Sequence, residues 1–109
     1  MWELEVSVQE AKELLTSGAD LRLIDCREPE EWALCRLPQA ELLPLSSFGE
    51  SYRSVLEDRG HPILIYCHHG VRSLHAAEYL AALGYENVRS IRGGIDAWSR
   101  EIDPAVPRY

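Results

Sequence analysis

The chemistry available to this chain is concentrated in one short segment, Cys67-His68-His69-Gly70-Val71-Arg72-Ser73. An apolar run, Pro62-Ile63-Leu64-Ile65-Tyr66, leads into it, and a helical pattern leads out of it. A thiol at such a junction meets the unpaired backbone N–H groups and partial positive charge of a helix N-terminus. Successive N–H groups of a tight loop form an anion nest, and Gly70 allows the backbone angles that such a loop needs. Arg72 adds a full charge and a planar fork of donors suited to an oxyanion. All of this favours thiolate over thiol, and the same cradle can hold the anionic end of a substrate beside the sulfur. The expectation is a nucleophilic Cys67 in an active-site loop of His68, His69, Gly70, Val71, Arg72 and Ser73. The plain alternative is a buried strand-end cysteine with a solvated arginine. The agreement of glycine, arginine and loop position favours the nucleophile.

Other polar residues carry weaker signals. His68 and His69 suit the rim of the site, where a cationic imidazole aids anion capture; simple exposure is the alternative. No metal is expected, because adjacent residues on a tight loop cannot all point at one ion and no second ligand cluster is evident. Cys26 falls on the opposite strand face from Asp25 and Arg27. Core packing is its favoured role, with a resolving cysteine for Cys67 as the minority reading. Cys35 is expected to be partly exposed. His61 and His75 read as ordinary loop or helix residues, and Glu28, Glu30 and Glu31 as a solvated helix start complementing the dipole.

The elements that must position this loop are legible from the pattern. Residues 2–6 suit a short first strand. Ser7 reads as an N-cap completed by Glu10, with Val8, Ala11, Leu14 and Leu15 on one face and Gly18 as the stop. Leu21–Cys26 is a buried strand and Pro29–Leu34 a short helix. Ala40–Leu43 is a further strand candidate, and residues 46–58 are weakly helical up to Gly60. Pro62–Cys67 is the most strand-like run. Val71–Leu83 follows as a helix with Val71, Leu74, Ala77 and Leu80 or Ala81 inward, stopped by Gly84. Asn87–Ile91 is the last strand, Gly93-Gly94 opens a final helix, and about 101–109 is an extended tail. Strands alternating with helices predict an α/β fold with a largely parallel sheet. Ligands of such sheets sit at the carboxyl ends of strands, where both Asp25-Cys26-Arg27 and Cys67–Ser73 fall.

At 109 residues the chain is one domain's worth. Its 18 acidic against 11 basic residues argue against nucleic acid or an anionic membrane as partner. No apolar run approaches the ~18 residues of a membrane helix, and Met1-Trp2-Glu3-Leu4-Glu5 has no signal-peptide character. Three cysteines without a Cys-x-x-Cys pair suggest a reducing, cytoplasmic setting without a disulfide framework.

Three stretches together resemble a known family. Leu23-Ile24-Asp25-Cys26-Arg27-Glu28-Pro29-Glu30-Glu31-Trp32, then Ile65 to Ser73, then Gly93-Gly94-Ile95-Asp96-Ala97-Trp98 follow the order and spacing of a single rhodanese (sulfurtransferase) domain. The resemblance implies a three-layer fold, with a mostly parallel sheet of about five strands and helices on both faces. It also implies transfer of sulfane sulfur from a small anionic donor such as thiosulfate, through a Cys67 persulfide, to cyanide or a thiol. Arg72 would bind the donor's sulfonate end or stabilise the loop, and Asp25 and Arg27 would brace it. Trp98 and Gly93-Gly94 match structural positions. No cofactor is implied. A carrier or docking module delivering sulfur to a partner protein is the second reading. A phosphatase or arsenate reductase is remote, because related phosphatases use a longer loop and here only four residues separate Cys67 from Arg72. Residues 102–109 resemble the ends of rhodanese domains that close adenylyltransferases of sulfur-carrier pathways. One stretch departs from the family: Cys35-Arg36-Leu37-Pro38-Gln39-Ala40 stands where Gly-His-Ile-Pro-Gly-Ala is usual.

Overall fold

Ile63–Tyr66 is buried at every position, as expected of a central strand covered on both faces. In the computed structural model, which describes residues 4–109, it is β4 of a five-stranded sheet. The others are β1 (Glu5–Val6), β2 (Arg22–Asp25), β3 (Glu41–Leu42) and β5 (Val88–Ile91). Their order is β1-β5-β4-β2-β3, and every pairing is parallel. The first-strand expectation lies partly on residues 1–3, outside the described residues.

Helices α1 (Val8–Thr16), α2 (Pro29–Leu34), α3 (Phe48–Val55), α4 (Val71–Ala82) and α5 (Gly94–Glu101) connect and cover the strands, with a 3-10 turn at Leu45–Ser47. One sheet face packs Ile24, Ile63 and Ile65 against Phe48 and Tyr52 of α3, Leu56 just beyond it, and Ala76, Ala77 and Leu80 of α4. The other packs Leu23, Leu64 and Tyr66 against Val8 and Ala11 of α1 and Ile95 and Trp98 of α5. This is the expected three-layer arrangement. The Ser7–Glu10 capping box forms on α1, with both reciprocal bonds at 3.1 Å.

Three local expectations shift. On α4 the buried stripe is Ser73, Ala76, Ala77 and Leu80, whereas Val71 is 63% exposed and Leu74 half-buried. A strict three-residue spacing drifts around a 3.6-residue helix and meets the core only from Ala77 onward. On α1, Leu14 lies outward and Leu15 is half-buried. The weakly helical stretch is helical only from Leu45 to Val55. In the departing stretch, Gln39 takes φ +69° where the family pattern has glycine, a left-handed conformation that costs a side-chain-bearing residue about 1–2 kcal/mol. Leu37 is buried, and its N–H donates to Tyr66 Oη at 3.1 Å.

Candidate active site

β4 ends at Tyr66 and α4 begins at Val71, so the loop between them stands at the carboxyl edge of the central strand. Cys67 is 1% exposed. Its sulfur receives the Gly70 N–H at 3.1 Å and the Ser73 N–H at 3.3 Å, and Ser73 Oγ lies 3.4 Å away. Ser73 Oγ is in turn 2.7 Å from Ser90 Oγ on β5. With the thiol ionised, the Ser73 hydroxyl donates to sulfur and Ser90 donates to Ser73. Gly70 holds φ +96°, and a Cβ there would come within 2.8 Å of Gly93 N. From the other side, the first amides of α5 grip the loop: Ile95 N–H donates to Cys67 O at 2.9 Å and Asp96 N–H to His68 O at 3.1 Å. Gly94 makes this approach possible, since a side chain on it would run into the carbonyls of Cys67 and His68. The glycine pair that opens α5 therefore docks the helix on the loop.

The Cys67 pKa falls from its ordinary 9.0 to about 5. The largest influence is the neighbouring Cys26 thiol; burial opposes it, and the Ser73 and Gly70 donors add to the lowering. Cys26 makes no aligned hydrogen bond to this sulfur, so the directed contacts are those of Gly70 and Ser73. Cys26 continues β2 beside β4, with its N–H donating to Tyr66 O at 3.1 Å, and it is fully buried in the same core cluster as Cys67. The Cys67 sulfur and burial push Cys26 well above its ordinary value. The two sulfurs titrate as a coupled pair, in which ionisation of Cys67 disfavours ionisation of Cys26.

Asp25 and Arg27 are both fully buried and form a forked pair. Arg27 Nε donates to Asp25 Oδ1 at 2.9 Å and Nη2 to Oδ2 at 2.6 Å. Nη2 also donates to the Cys35 carbonyl at 2.6 Å. This ties the end of β2 to the start of the departing stretch. A buried pair of this kind is strongly destabilised by removing one partner.

Arg72 does not stand free. Its Nη1 and Nη2 donate to Glu31 Oε1 at 2.7 Å and Oε2 at 2.9 Å. Glu31, expected on the solvated face of α2, has a side chain only 19% exposed. Chiefly through Arg72, its pKa is lowered from 4.5 to about 2. The same carboxylate accepts the Tyr109 hydroxyl at 2.6 Å, and Tyr109 Oη accepts Arg27 Nη1 at 2.9 Å. The tail therefore folds back. Ser99 Oγ donates to Val106 O at 2.6 Å, Arg108 Nε to Asp96 Oδ1 at 3.0 Å, and the Cys35 thiol faces Pro107 O at 3.3 Å.

The Tyr109 ring stacks on His68 at 3.9 Å with a 9° tilt, and His68 lies against His69 at 3.8 Å with 31° between their planes. His69 is exposed and His68 half-buried, which places both on the rim. His68, His69 and Asp96 have ligand-type atoms within 4.8 Å of one another. They make a poor metal site. Each Asp96 oxygen is already taken by an arginine, Arg100 or Arg108.

Gly70 and Ser73 converge on Cys67, while Arg72 turns to Glu31 and the Asp25–Arg27 pair bonds to the Cys35 carbonyl and Tyr109 Oη. Glu31, Tyr109 and Ser90 were not singled out from the sequence. Ser90, between Arg89 and Ile91 on β5, carries no local signal; Glu31 and Tyr109 meet Arg72 and Arg27 only through tertiary contact.

Residues 7–101 match the model of the rhodanese-like domain family, and the chain belongs to that family. It is 35% identical over 102 residues to a sulfurtransferase of Allochromatium vinosum, covering 94% of both chains. It is 33% identical over 106 residues to the probable adenylyltransferase/sulfurtransferase MoeZ of Mycobacterium tuberculosis, covering 95% of this chain but only 26% of that protein. The crystal structure of a rhodanese-related protein from Thermoplasma volcanium superimposes with a TM-score of 0.82 at 27% identity, covering 99% of this chain and all of the other. No helix among the described residues is long and apolar enough to cross a membrane.

Proposed function

We propose that residues 1–109 form one sulfur-transferring domain that works through a Cys67 persulfide. The observation that carries this is the convergence of three donors, Gly70 N–H, Ser73 N–H and Ser73 Oγ, on one buried sulfur. In the first step the Cys67 thiolate attacks the outer sulfur of thiosulfate. The S–S bond to the central sulfur breaks, sulfite leaves with the bonding pair, and Cys67 holds a persulfide anion. In the second step cyanide or a thiolate takes the outer sulfur, giving thiocyanate or a new persulfide and restoring the thiolate. Charge is conserved in both steps, so the loop must stabilise one negative charge throughout, and its fixed N–H groups suit that need. Arg72 and the rim histidines meet the donor's anionic end. A cytoplasmic setting, where thiols are kept reduced, suits this acceptor step.

A second reading is supported by the match to MoeZ, where the aligned region is a minor part of a larger protein. In it the persulfide is handed to a partner protein rather than to a small acceptor.

The test is intact-protein mass after thiosulfate treatment and desalting without reductant, beside Cys67→Ala. The expected result is a gain of about 32 Da, one sulfur, on the native protein only, discharged by cyanide. Retention of the adduct by Cys67→Ala would move the nucleophile elsewhere, and its absence from the native protein would remove thiosulfate as donor. An adduct stable to cyanide but lost to a protein thiol would favour the carrier reading.

A further inference from the structure

Tyr109 is held by the groups that a substrate anion would use. Glu31 Oε1, Glu31 Oε2 and Tyr109 Oη present three oxygens to Arg72 Nη1, Arg72 Nη2 and Arg27 Nη1. These are the oxygens of no single group, yet they fill the donor positions of two guanidinium groups beside the active-site loop. Arg27 is fully buried. Its Nε and Nη2 are committed to Asp25 and the Cys35 carbonyl, and Nη1 has Tyr109 Oη as its hydrogen-bond partner among the described residues. Tyr109 is the replaceable member of this set. It is 41% exposed and belongs to a segment with neither helix nor strand. Its ring lies against His68, next to the nucleophile in sequence.

We propose that Tyr109 Oη is an internal stand-in for an oxygen of the donor's anionic end, and that Arg27 Nη1 forms with Arg72 an oxyanion subsite that opens when Tyr109 turns away. The ligand class is a small tetrahedral oxyanion, a sulfonate-type group carrying the transferable sulfur. Turning Tyr109 out exposes the buried Nη1 donor. It also removes one of the bonds that fix Glu31, so the Arg72 fork becomes easier for the anion to claim. This deepens the function proposed above and rests on its assignment of a thiolate to Cys67, though not on sulfur transfer itself.

Alkylation of Cys67 separates the two. Iodoacetate and iodoacetamide are close in size, and only the first is an anion, so the ratio of their rates at one pH cancels changes in thiolate fraction. The ratio is measured on the native protein, Tyr109→Phe and Tyr109→Ala, with thermal melting to establish that each is folded. Tyr109→Phe keeps the ring stack and removes the hydroxyl that competes for Arg27. It is expected to raise the iodoacetate-to-iodoacetamide ratio about 3- to 10-fold, the scale of one ordinary hydrogen bond. Tyr109→Ala is expected to raise it at least as far. Sulfite is expected to protect Cys67 at lower concentration in Tyr109→Phe than in the native protein. An unchanged ratio in folded Tyr109→Phe overturns the proposal. A lowered ratio also overturns it, because the hydroxyl would then be a ligand for the anion rather than its competitor. A Cys67 that takes neither reagent overturns the thiolate on which both readings stand. Failure of thiosulfate turnover with a raised ratio overturns the donor assignment alone and leaves the subsite in place.

Discussion

Ser73→Ala tests how the loop makes a thiolate. The substitution removes Ser73 Oγ, 3.4 Å from the Cys67 sulfur and 2.7 Å from Ser90 Oγ, and leaves both backbone donors in place. A hydrogen bond to a charged group contributes about 1.5–3 kcal/mol, and one pKa unit corresponds to about 1.4 kcal/mol. A long contact to a diffuse sulfur belongs at the low end of that range, so the expected rise is about one unit above the native value of about 5. The assay is the pH dependence of the iodoacetamide rate at Cys67, whose midpoint reports the thiol. At pH 7 the native rate is already on its plateau, so the difference is read between pH 4 and 7. Ser73 is fully buried, and its loss leaves the Ser90 hydroxyl without a partner. The variant should therefore also lose about 1–3 kcal/mol of stability, partly restored by adding Ser90→Ala. An unmoved midpoint in a folded Ser73→Ala would refute the role given to the hydroxyl and leave the backbone amides and Cys26 to account for the thiolate.

Other perturbations follow from the same geometry. Because the Cys67 pKa is lower folded than unfolded, its contribution to stability is complete above 9.0 and disappears as pH falls through about 5; urea melts of Cys67→Ser should be flatter than native melts across that window. Glu31 behaves alike at lower pH. Its stabilisation is complete above 4.5 and is lost as pH falls through about 2, so Glu31→Gln should flatten the acid limb of a pH-melting curve. Gln39→Gly relieves the positive φ at the cost of a more flexible unfolded chain, for an expected net gain of about 0.5–1 kcal/mol by urea denaturation. Gly94→Ala forces a Cβ against the loop carbonyls and should both lower the melting temperature and slow Cys67 alkylation. A fall in stability with unchanged alkylation would show that α5 does not shape the loop.

The loop was legible because its evidence is local. An apolar strand, a glycine, an arginine and a helix start stand in one stretch, and Gly70 and Ser73 lie where hydrogen bonds to sulfur need them. The brace was equally local, since Asp25 and Arg27 are two residues apart on one strand face. Glu31 was not legible as an arginine partner, because its neighbours Glu28 and Glu30 make it look like one of a solvated run, and Arg72 is 41 positions away. Cys26 was placed correctly in the core. Its effect on Cys67 depends on β2 and β4 being adjacent in register, which periodicity does not specify. Two prolines, Pro104 and Pro107, point to an extended tail. Its return across the site depends on contacts made by Ser99, Asp96 and His68, none of which marks the chain locally.

The grip of two helices on one loop sets a limit on how this site can be remodelled. α4 supplies the Ser73 amide to the sulfur while α5 supplies the Ile95 and Asp96 amides to the carbonyls of Cys67 and His68. The width of the cradle is therefore gauged by the spacing of two rigid bodies as well as by the number of residues between Cys67 and Arg72. Lengthening the loop to admit a bulkier tetrahedral group would have to slide α5 along the sheet or release it from the loop, with Gly94 and the β5 end following. Any widening of the cradle must begin at that second helix, remote in sequence from Cys67.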